Sequence, residues 1–557
     1  MENKTENSRL TLPALFDHSV RNFAANTSLV FVGEKNYTYA ELGNDVNRVA
    51  SMLSLLGIQK GDKVAILSQN MPNWGVAFFA ISILGGIVVP ILPDFHDNEI
   101  STILEHAEVK TLFVSSALTG NVSSTARKLL NNIIVIDQFA LLNEKKDLTE
   151  VEKLATSLPE KPVSFHRPKV EEEDLASIIY TSGTTGNSKG VMLTHMNLAW
   201  TTQQSRSFYK VKSTDRFLSI LPLSHTFENT IGFLLPIKYG AAINYLKKPP
   251  VASVLLPAFQ LVKPTIMLSV PLIIEKVFRA KIYPELHKSA VTRALYNFPL
   301  TRKILHRVAA AKLHKTFGGN IEFFGIGGAK LDPTVERFLH EGKFPYAIGY
   351  GLTETSPLLA GAVVGKTKIG STGMAMEGVQ LRIADADANT GEGEIQAKGL
   401  NVMAGYYKAP ELTAGIFTSD GWIKTGDRGF FDKSKRLFIK GRIKTMIVGA
   451  SGENIYPEEI ESVINKMKYV LESLVVEKKG KLVAMIHLNK EEIEQNFQYL
   501  KEEAQQFIQG KSDEILKEIH KKVNQQVNKF SRIQQVILQP IPFEKTPTKK
   551  IKRFLYA

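Results

Sequence analysis

Apolar positions in the first part of the chain alternate between helical and strand-like spacing. The run "AELGNDVNRVASMLSLLG" (40–57) repeats apolar residues at helical intervals, whereas "DKVAIL" (62–67) and "TLFVS" (111–115) are short apolar runs typical of buried strands. Such a succession predicts a parallel sheet covered by helices. The pattern continues through "LASIIYTS", "PTIMLSVP" and "IEFFGIGGAK", each of which ends in glycine, proline or hydroxyl residues. Ligands of open α/β sheets bind at the carboxyl ends of strands, where these polar loops fall.

The most apolar uncharged run, Val76 to Leu92, is a little too short to span a membrane and is interrupted by Gly85, Gly86 and Pro90. We therefore interpret it as a buried helix that leads into a core strand. Further on, "GVQLRIAD" and "GEIQAKG" flank the turn-rich "ADANTGEG", which predicts an antiparallel hairpin.

The last part of the chain has the pattern of a separate small domain. After "GRIK" (441–444), a short strand, a helix opening at "YPEEIESVI" and a lysine-rich remainder give roughly a hundred residues, a normal size for a small domain. Within it Ile515, Ile519, Val523 and Val527 recur every four residues between charged neighbours. This stripe predicts a helix that packs on a core rather than on a membrane.

The amino-acid composition excludes several kinds of protein and of reactive site. The chain has 557 residues, of which 44% are hydrophobic and 22% charged, so an ordinary globular protein with two or more cores is expected. It has no cysteine, which excludes disulfides, thiolate metal sites and cysteine nucleophiles. Its polar N-terminus lacks the order of a secretory signal, which predicts a cytoplasmic protein.

A formal net charge of +14 predicts attraction to an anion: a nucleotide, coenzyme A, a phospholipid headgroup or a nucleic acid. The lysines are spread along the chain, and no nucleic-acid-binding motif accompanies them, so we expect no nucleic-acid partner. A plain solvated basic surface is the alternative for most individual lysines.

The segment "YTSGTTGNSKG" (180–190) has the make-up of a phosphate-binding loop. Its glycines let the backbone approach an anion, and hydroxyls and a lysine supply hydrogen-bond donors around it. The glycine spacing differs from that of a Walker A loop. The candidate nucleotide-binding residues here are Thr181, Ser182, Gly183, Thr184, Thr185, Gly186 and Lys189.

With this loop, the chain resembles the adenylate-forming superfamily of acyl-CoA synthetases, luciferases and nonribosomal adenylation domains. Matching segments follow in the superfamily's order over nearly the whole chain. "PLSHTFE" (222–228) resembles the segment whose histidine, here His225, flanks the acyl substrate. "GIGGA" (325–329) and "GYGLTETSP" (349–357) resemble the adenine and metal segments, which implicates Gly328, Ala329, Gly349, Tyr350, Gly351, Thr353 and Glu354.

The resemblance also implies roles. Tyr350 would stack near adenine, Thr353 would contact phosphate, and Glu354 would bind Mg²⁺, with Thr181 as a second candidate contact of the metal. An oxygen ligand suits a hard cation, and an aromatic face suits a base. "DGWIKTGD" (420–427) puts Asp427 where relatives bind the ribose hydroxyls.

The junction "KGRIKTMIVGASGENIYPEEIE" (440–461) matches the superfamily's hinge region. Arg442 would reach the nucleotide, and Lys444 stands at the hinge, where many relatives carry aspartate. Gly449, Ser451, Gly452 and Glu453 would line the path of the coenzyme A thiol. In "EKTPTKKIKRF" (544–554) the catalytic lysine aligns with Lys550, with Lys549 as the competing position.

The implied fold is α/β: a large N-terminal domain (1–440) of stacked α/β sheets with a small β-barrel-like portion, and a small mobile α+β domain (441–557). The implied activity is that of a ligase that uses ATP and Mg²⁺ to join a fatty acid first to AMP and then to coenzyme A. Within the superfamily the chain is most similar to long-chain fatty acyl-CoA synthetases. Its substrate partitions into membranes, which favours peripheral contact with the inner face of the membrane. Two alternatives stay open: a ligase that loads an acyl carrier protein, and a non-catalytic acyl-nucleotide or lipid-binding relative. The oligomeric state does not follow from the sequence.

Overall fold

The structure is a computed structural model that describes residues 9–142, 155–156, 164–182, 188–448, 454–478, 480–497, 504–546 and 550–556. The helices are α1 (Leu12–Asn22), α2 (Tyr39–Leu55), α3 (Pro72–Ile83), α4 (Asp97–His106), α5 (Ser124–Leu129), α6 (His195–Gln204), α7 (Leu235–Lys238), α8 (Ala252–Val262), α9 (Pro271–Val277), α10 (Tyr283–Leu286), α11 (Ala290–Asn297), α12 (Pro299–Thr316), α13 (Pro333–Glu341), α14 (Pro410–Ile416), α15 (Pro457–Ile464), α16 (Lys490–Phe497) and α17 (Ala504–Gln526). Two π-helical turns, Glu228–Leu234 and Phe278–Ile282, precede α7 and α10.

The strands before the crevice described below are β1 (Leu29–Phe31), β2 (Lys63–Leu67), β3 (Ile87–Ile91), β4 (Thr111–Val114), β5 (Asn132–Val135), β6 (Ala140–Leu142), β7 (Ala155–Thr156), β8 (Leu175–Ser182), β9 (Ser188–Thr194), β10 (Arg216–Ser219), β11 (Ala242–Tyr245), β12 (Ile266–Ser269) and β13 (Phe323–Ile326). The later strands are β14 (Tyr346–Gly351), β15 (Leu358–Gly361), β16 (Met374–Ala375), β17 (Gln380–Ala384), β18 (Gly393–Lys398), β19 (Gly405–Tyr406), β20 (Ile423–Phe431), β21 (Leu437–Arg442), β22 (Ile447–Val448), β23 (Asn454–Ile455), β24 (Val470–Lys478), β25 (Lys481–Leu488) and β26 (Gln535–Leu538).

Two large sheets form the body of the molecule. One has the order β19-β9-β8-β3-β2-β4-β5-β6-β7 and the other β1-β11-β10-β12-β13-β14-β15-β16. Neighbouring strands from β8 to β5 in the first sheet and from β1 to β14 in the second run parallel. The predicted helix-covered parallel sheet is therefore confirmed, and it occurs twice.

Alternating side chains of each sheet face different helical layers. In β2, Val64 and Ile66 pack with α1, α2 and α3 in the central layer, whereas Ala65 and Leu67 pack with α4 and α5 outside. In β12, Ile266 and Leu268 face the central layer, and Met267 packs with α8, α9, α12 and α13. The result is a five-layer stack of helices and sheets.

The helices of the central layer follow from their sequences. A capping box opens α2, because the Thr38 hydroxyl accepts from the Glu41 amide at 3.2 Å and the Thr38 amide donates to the Glu41 carboxylate at 2.7 Å. Helix α3 is apolar on all sides and lies buried between the sheets, as expected of such a pattern. Because α3 leads directly into β3, the prediction for Val76 to Leu92 is confirmed.

The predicted hairpin is formed by β17 and β18, which pair in antiparallel register from Gln380↔Lys398 to Ala384↔Glu394. With β20 and β21 they make a four-stranded sheet in the order β17-β18-β20-β21, an open arrangement in the described residues where a barrel-like portion was expected. The backbone stays in this sheet through Arg442, and Lys444 lies in the 3₁₀ turn Ile443–Thr445 that follows.

The C-terminal part has its own sheet, β24-β25-β26, and its own hydrophobic cluster. Ile515, Ile519 and Val523 of α17 lie in that cluster and Val527 packs at its margin, so the stripe is core packing as predicted. The division of the chain at 440/441 and the mobility of the small domain remain predictions. Within the described part of the chain, no helix combines the length and apolar character needed to cross a membrane.

Candidate active site

A charged crevice forms where the carboxyl end of β14 meets the β20–β21 hairpin and the C-terminal segment. The Tyr350 hydroxyl donates to Asp427 Oδ2 at 2.7 Å, and Arg442 Nε lies 2.8 Å from Asp427 Oδ1. The two oxygens of one carboxylate thus join residues of β14 and β21. The register brings Asp427 and Arg442 together directly, since they are cross-strand partners.

Burial shifts the pKa values of Asp427 and Tyr350. Only 5% of Asp427 is exposed, and this burial raises the pKa of its carboxyl, although Arg442 and the Tyr350 hydroxyl oppose the shift. Burial also raises the pKa of the Tyr350 phenol, and the Asp427 charge adds to that shift. Tyr350 therefore stays a neutral hydrogen-bond donor.

The backbone after β14 requires glycine at one position. A Cβ atom built on Gly351 would lie 1.6 Å from the Pro357 carbonyl oxygen, so only glycine permits β14 and β15 to approach this closely. The chain then turns through the 3₁₀ segment Thr353–Thr355, whose tight turn exposes part of Thr353 and Glu354 to the crevice. The Glu354 carbonyl accepts from the Met403 amide at 2.9 Å, which fixes the turn to the neighbouring loop.

Glu354 has a partner that the sequence did not suggest. The Tyr406 hydroxyl donates to Glu354 Oε1 at 2.8 Å, and Lys189 Nζ lies 5.2 Å from the centre of the Tyr406 ring. A carboxylate has further lone pairs beyond the one that Tyr406 occupies. Glu354 therefore suits Mg²⁺, which proteins hold through one or two carboxylates together with substrate phosphates.

The phosphate-loop candidates lie between two antiparallel strands. Thr181 of β8 pairs with Lys189 of β9, so both lie at the base of the hairpin. Gly183, Thr184, Thr185 and Gly186 lie outside the described residues, as does the side chain of Ser182. Lys189 is thus the loop residue that the structure connects to Glu354, through Tyr406.

Lys550 reaches the crevice from the end of the chain. The Thr546 amide donates to the Lys550 carbonyl at 2.7 Å and the Lys550 amide to the Thr546 hydroxyl at 3.1 Å, so the segment doubles back on itself. Arg553 anchors this segment, because its guanidinium bonds to the buried Glu461 carboxylate of α15. Lys549 lies outside the described residues.

The electrostatic neighbours of Lys550 identify its position. Dense protein surroundings, followed by the Arg442 charge, lower the pKa of the Lys550 ammonium, while Asp427 and Glu354 act in the opposite direction. By accessible surface the residue is nevertheless exposed to solvent. The structure therefore places the charged groups of Glu354, Asp427, Arg442 and Lys550 near one another, and the roles that the resemblance implies for them remain predictions.

His225 lies at the border of the crevice, ahead of the π-helical turn Glu228–Leu234. Burial, with a smaller contribution from the Lys550 charge, lowers the pKa of His225 to about 4, so the imidazole is neutral. The Phe227 amide donates to His225 Nδ1 at 3.3 Å. This bond holds the His225 ring next to the backbone of Phe227, which lines the cavity described next.

A small apolar cavity lies between the eight-stranded sheet and this turn, with the predominantly hydrophobic lining that is typical of ligand pockets. It is lined almost entirely by aliphatic and aromatic groups, including Phe208, Phe217, Phe227, Ile231, Leu235, Ile266, Leu268, Phe323, Ala347 and Gly349. Phe227 and Gly349 adjoin His225 and Tyr350 in sequence. The cavity and the charged crevice thus share two chain segments.

Glu228, in the first turn of the π-helix, is a second residue that the sequence did not suggest. It is 2% exposed, the Ser219 hydroxyl donates to its Oε1 at 2.6 Å, and burial raises the pKa of its carboxyl to about 8. Ser219 in turn accepts from the Asn70 amide at 2.9 Å. This protonated carboxyl fastens the π-helical turn, which borders the cavity, to β10.

The remaining candidates fall into two groups. Gly328 and Ala329 follow β13 and are exposed, Gly328 with a φ of +88°. Gly449, Ser451, Gly452 and Glu453 lie outside the described residues, so the path of the thiol stays a prediction. Tyr406 and Glu228 carried no signal in the sequence, since a tyrosine next to glycine and an acid at a helix start are ordinary features.

A family model described as AMP-binding enzyme matches residues 16–407 of the chain. A long-chain-fatty-acid–CoA ligase of Mycobacterium bovis is 28% identical, covering 93% of this chain and 90% of that protein. A long-chain-fatty-acid–CoA ligase of Bacillus subtilis is 29% identical over 84% of this chain and 82% of its own. Among solved structures, O-succinylbenzoate coenzyme A synthetase of Bacillus subtilis in complex with ATP and magnesium ion has a TM-score of 0.74 at 22% identity, covering 97% of this chain and 98% of that one. Because the identity to this last structure is only 22%, the similarity shows a shared fold and nothing more.

Proposed function

The chain belongs to the AMP-binding enzyme family, and on that premise we propose that it is an AMP-forming ligase that activates a long-chain fatty acid and transfers it to coenzyme A. The observation that carries the proposal is that the chain segments of Phe227 and Gly349, which line the apolar cavity, continue into His225 and into Tyr350, which bonds to Asp427 in the charged crevice. One region suits an acyl chain and the other suits the anions that must react at its carboxyl end.

In the first step a carboxylate oxygen of the fatty acid attacks the α-phosphorus of ATP. A bond forms between this oxygen and phosphorus, the bond to the β-phosphate oxygen breaks, and pyrophosphate leaves. Both reactants are anions, so the site must supply positive charge where negative charge accumulates. Within the described residues, the Lys550 ammonium, the Arg442 guanidinium and Lys189 at the base of the phosphate loop are cations suited to this task.

Asp427 would hold the nucleotide by accepting hydrogen bonds from the ribose hydroxyls, in keeping with its ionic pairing to Arg442. Tyr350 would present its ring near adenine, Thr353 would contact phosphate, and Gly328, Ala329, Gly349 and Gly351 would allow close approach of the backbone. Glu354, with Thr181 nearby in the loop, would hold Mg²⁺. When bound, the ion would neutralise phosphate charge.

Neutral His225 would sit beside the acyl carboxylate without adding a charge there. In the second step the thiolate of coenzyme A attacks the acyl carbonyl, the bond to the phosphate oxygen breaks, and AMP leaves. Rotation of the small domain about Lys444 would then replace Lys550 by the segment Gly449 to Glu453. This gating is the usual function of such a hinge.

A long aliphatic acid is the substrate that the cavity favours. Among the described residues that line it, none is charged and able to bind a second functional group on the acid, and the relatives from M. bovis and B. subtilis bear the name of long-chain ligases. Hydrophobic transfer of each methylene group contributes roughly 0.8 kcal/mol, so the cavity discriminates by length.

Exchange of labelled pyrophosphate into ATP tests the proposal, measured with a series of acids from acetate to long-chain fatty acids. We expect exchange to peak with long chains, and coenzyme A to consume the adenylate in a second assay. If none of the acids supports exchange, a non-catalytic binding protein would be favoured. If an acyl carrier protein consumed the adenylate and coenzyme A did not, the proposal that coenzyme A is the acceptor would be wrong.

A further inference from the structure

The outer helical layer carries large apolar side chains on its solvent side. On α11 and α12 and in the link between them, Val291, Leu295, Phe298, Leu300, Ile304 and Val308 are all exposed, Leu300 by 78%. Helix α11 buries none of its residues. Scattered exposed apolar residues are normal, but six within one helical pair form a patch of the kind that marks an interaction site.

The four-residue spacing of these side chains places them on one face of α11 and on one face of α12. Val291 and Leu295 are four residues apart on α11, and Leu300, Ile304 and Val308 follow at the same interval on α12. The buried side of α12 contains His306, Ala310 and Leu313. Since two residues correspond to about 200° around a helix, Ile304 and His306 point in nearly opposite directions. Helix α12 thus has a second apolar face beyond the one it needs for packing.

The chain segment that carries this face is strongly basic. From Leu286 to Ile321 the chain contains no aspartate or glutamate, but it has Lys288, Arg293, Arg302, Lys303, Arg307, Lys312 and Lys315. Arg302 pairs with Glu341 at 2.8 Å, and the other six are exposed. We call α11, α12 and these cations the basic apolar face.

We propose that the basic apolar face docks on an anionic lipid bilayer. Its apolar side chains would enter the boundary between headgroups and acyl chains, while its cations contact phosphate groups, which is the arrangement of interfacial amphipathic helices. A second copy of this chain fits less well. A symmetric contact would press the same basic faces together, and their charges repel.

This docking goes beyond the proposed reaction and does not depend on it. The cavity lies on the other face of the eight-stranded sheet, because it is lined by Ile266 and Leu268, whereas α12 packs on the side of Met267. Vesicle binding and pyrophosphate exchange can therefore fail separately. Docking would hold the protein at the phase into which long acyl chains partition.

Co-sedimentation of the full-length protein with vesicles tests the inference. Phosphatidylcholine vesicles with and without phosphatidylglycerol are compared, for the wild type, L300Q/I304Q and K303E/R307E. The control is L412Q/L471Q, which replaces two exposed leucines outside this face. Thermal unfolding and AMP binding establish that each variant is folded.

We expect the wild type and L412Q/L471Q to bind anionic vesicles, with binding that weakens as salt rises. L300Q/I304Q should bind about tenfold more weakly or worse, and K303E/R307E should lose most of its preference for the anionic vesicles. Three results would overturn the inference: no binding of the wild type, equal binding by L300Q/I304Q, or a wild-type dimer in light scattering that L300Q/I304Q dissociates. The last would make a second copy the partner.

Discussion

The charged crevice and the apolar cavity adjoin each other but are built in different ways. In the crevice, single atoms from distant parts of the chain meet: Tyr350 with Asp427, and Tyr406 with Glu354. The cavity is one face of a sheet closed by a π-helical turn, and its apolar walls are interchangeable within limits of volume. The crevice therefore depends on particular groups, whereas the cavity depends on shape. Substitutions in the two regions should consequently have different kinds of effect.

The largest effect is expected from Lys550→Ala. In the proposed mechanism this change removes a cation from the point where carboxylate and α-phosphate meet, and loss of one such group costs roughly 10²–10³-fold in rate. Single-turnover formation of the acyl-adenylate measures it. Lys552→Ala is the matched control, because Lys552 lies on the same segment and contacts Glu544 at 4.0 Å. A Lys550→Ala protein that forms acyl-AMP at the normal rate would contradict the assignment of this lysine.

A smaller effect is expected from Asp427→Asn, which keeps the size of the side chain but removes the charge that Arg442 pairs with. Hydrogen bonds to charged groups contribute about 1.5–3 kcal/mol each, so the KM for ATP should rise by roughly tenfold to a hundredfold. Tyr350→Phe removes one bond to the same carboxylate and should raise it only a few-fold. Initial rates at varied ATP compare the two variants. If Tyr350→Phe raised the KM for ATP more than Asp427→Asn, the Asp427 carboxylate would not be the main contact that holds the nucleotide.

Changes in the cavity should alter selectivity rather than the rate with every acid. Ala347→Leu fills the cavity and Leu268→Ala enlarges it, so the optimal chain should become shorter in the first and longer in the second. One methylene group changes discrimination by about tenfold or more. The ratios of kcat/KM across an acid series measure the shift. Opposite shifts cannot come from general destabilisation, and parallel losses in both variants would place the acyl chain elsewhere.

The smallest effect on the reaction is expected from Glu228→Gln, which should instead change the pH dependence of stability. Burial raises the pKa of Glu228 from 4.5 to about 8 in the folded state. Below pH 4.5 both states hold the proton and its contribution to stability is complete. Between 4.5 and 8 only the folded state holds it, so stability falls by about 1.4 kcal/mol per pH unit as pH rises.

Urea unfolding from pH 5 to 8 tests this prediction. The amide that Glu228→Gln introduces does not titrate, so the variant should gain stability relative to wild type as pH rises. A constant difference between the two proteins across this range would mean that the Glu228 carboxyl is ionised throughout.

The sequence predicts local structure well where one pattern dominates. The capping box at Thr38, the apolar helix α3 and the four-residue stripe of α17 were all recognisable, because helix ends and buried faces depend on neighbours in the chain. The division into two sheets was not recognisable, since strand order depends on contacts between distant segments. The antiparallel pairing of β8 with β9 around the phosphate loop is one example.

The same distinction holds in the site. Glu354, Asp427, Arg442 and Lys550 were predicted through the resemblance of their motifs, and the structure places their charges near one another while their roles remain predictions. Tyr406 was missed because its role depends on Glu354, which lies 52 residues earlier. Glu228 was missed because an acid at a helix start normally faces water, and only the tertiary packing against β10 shows that it is buried.

In the proposed function, the crevice and the cavity bind the two halves of one acyl-adenylate. Calorimetric titration with AMP, its methyl ester and its palmityl ester tests this most directly, because these ligands do not react. We predict that the palmityl ester binds at least roughly a hundredfold more tightly than the methyl ester, and that Ala347→Leu removes most of this gain while leaving AMP binding unchanged. Equal affinity for the two esters, or a gain that Ala347→Leu does not reduce, would contradict the claim.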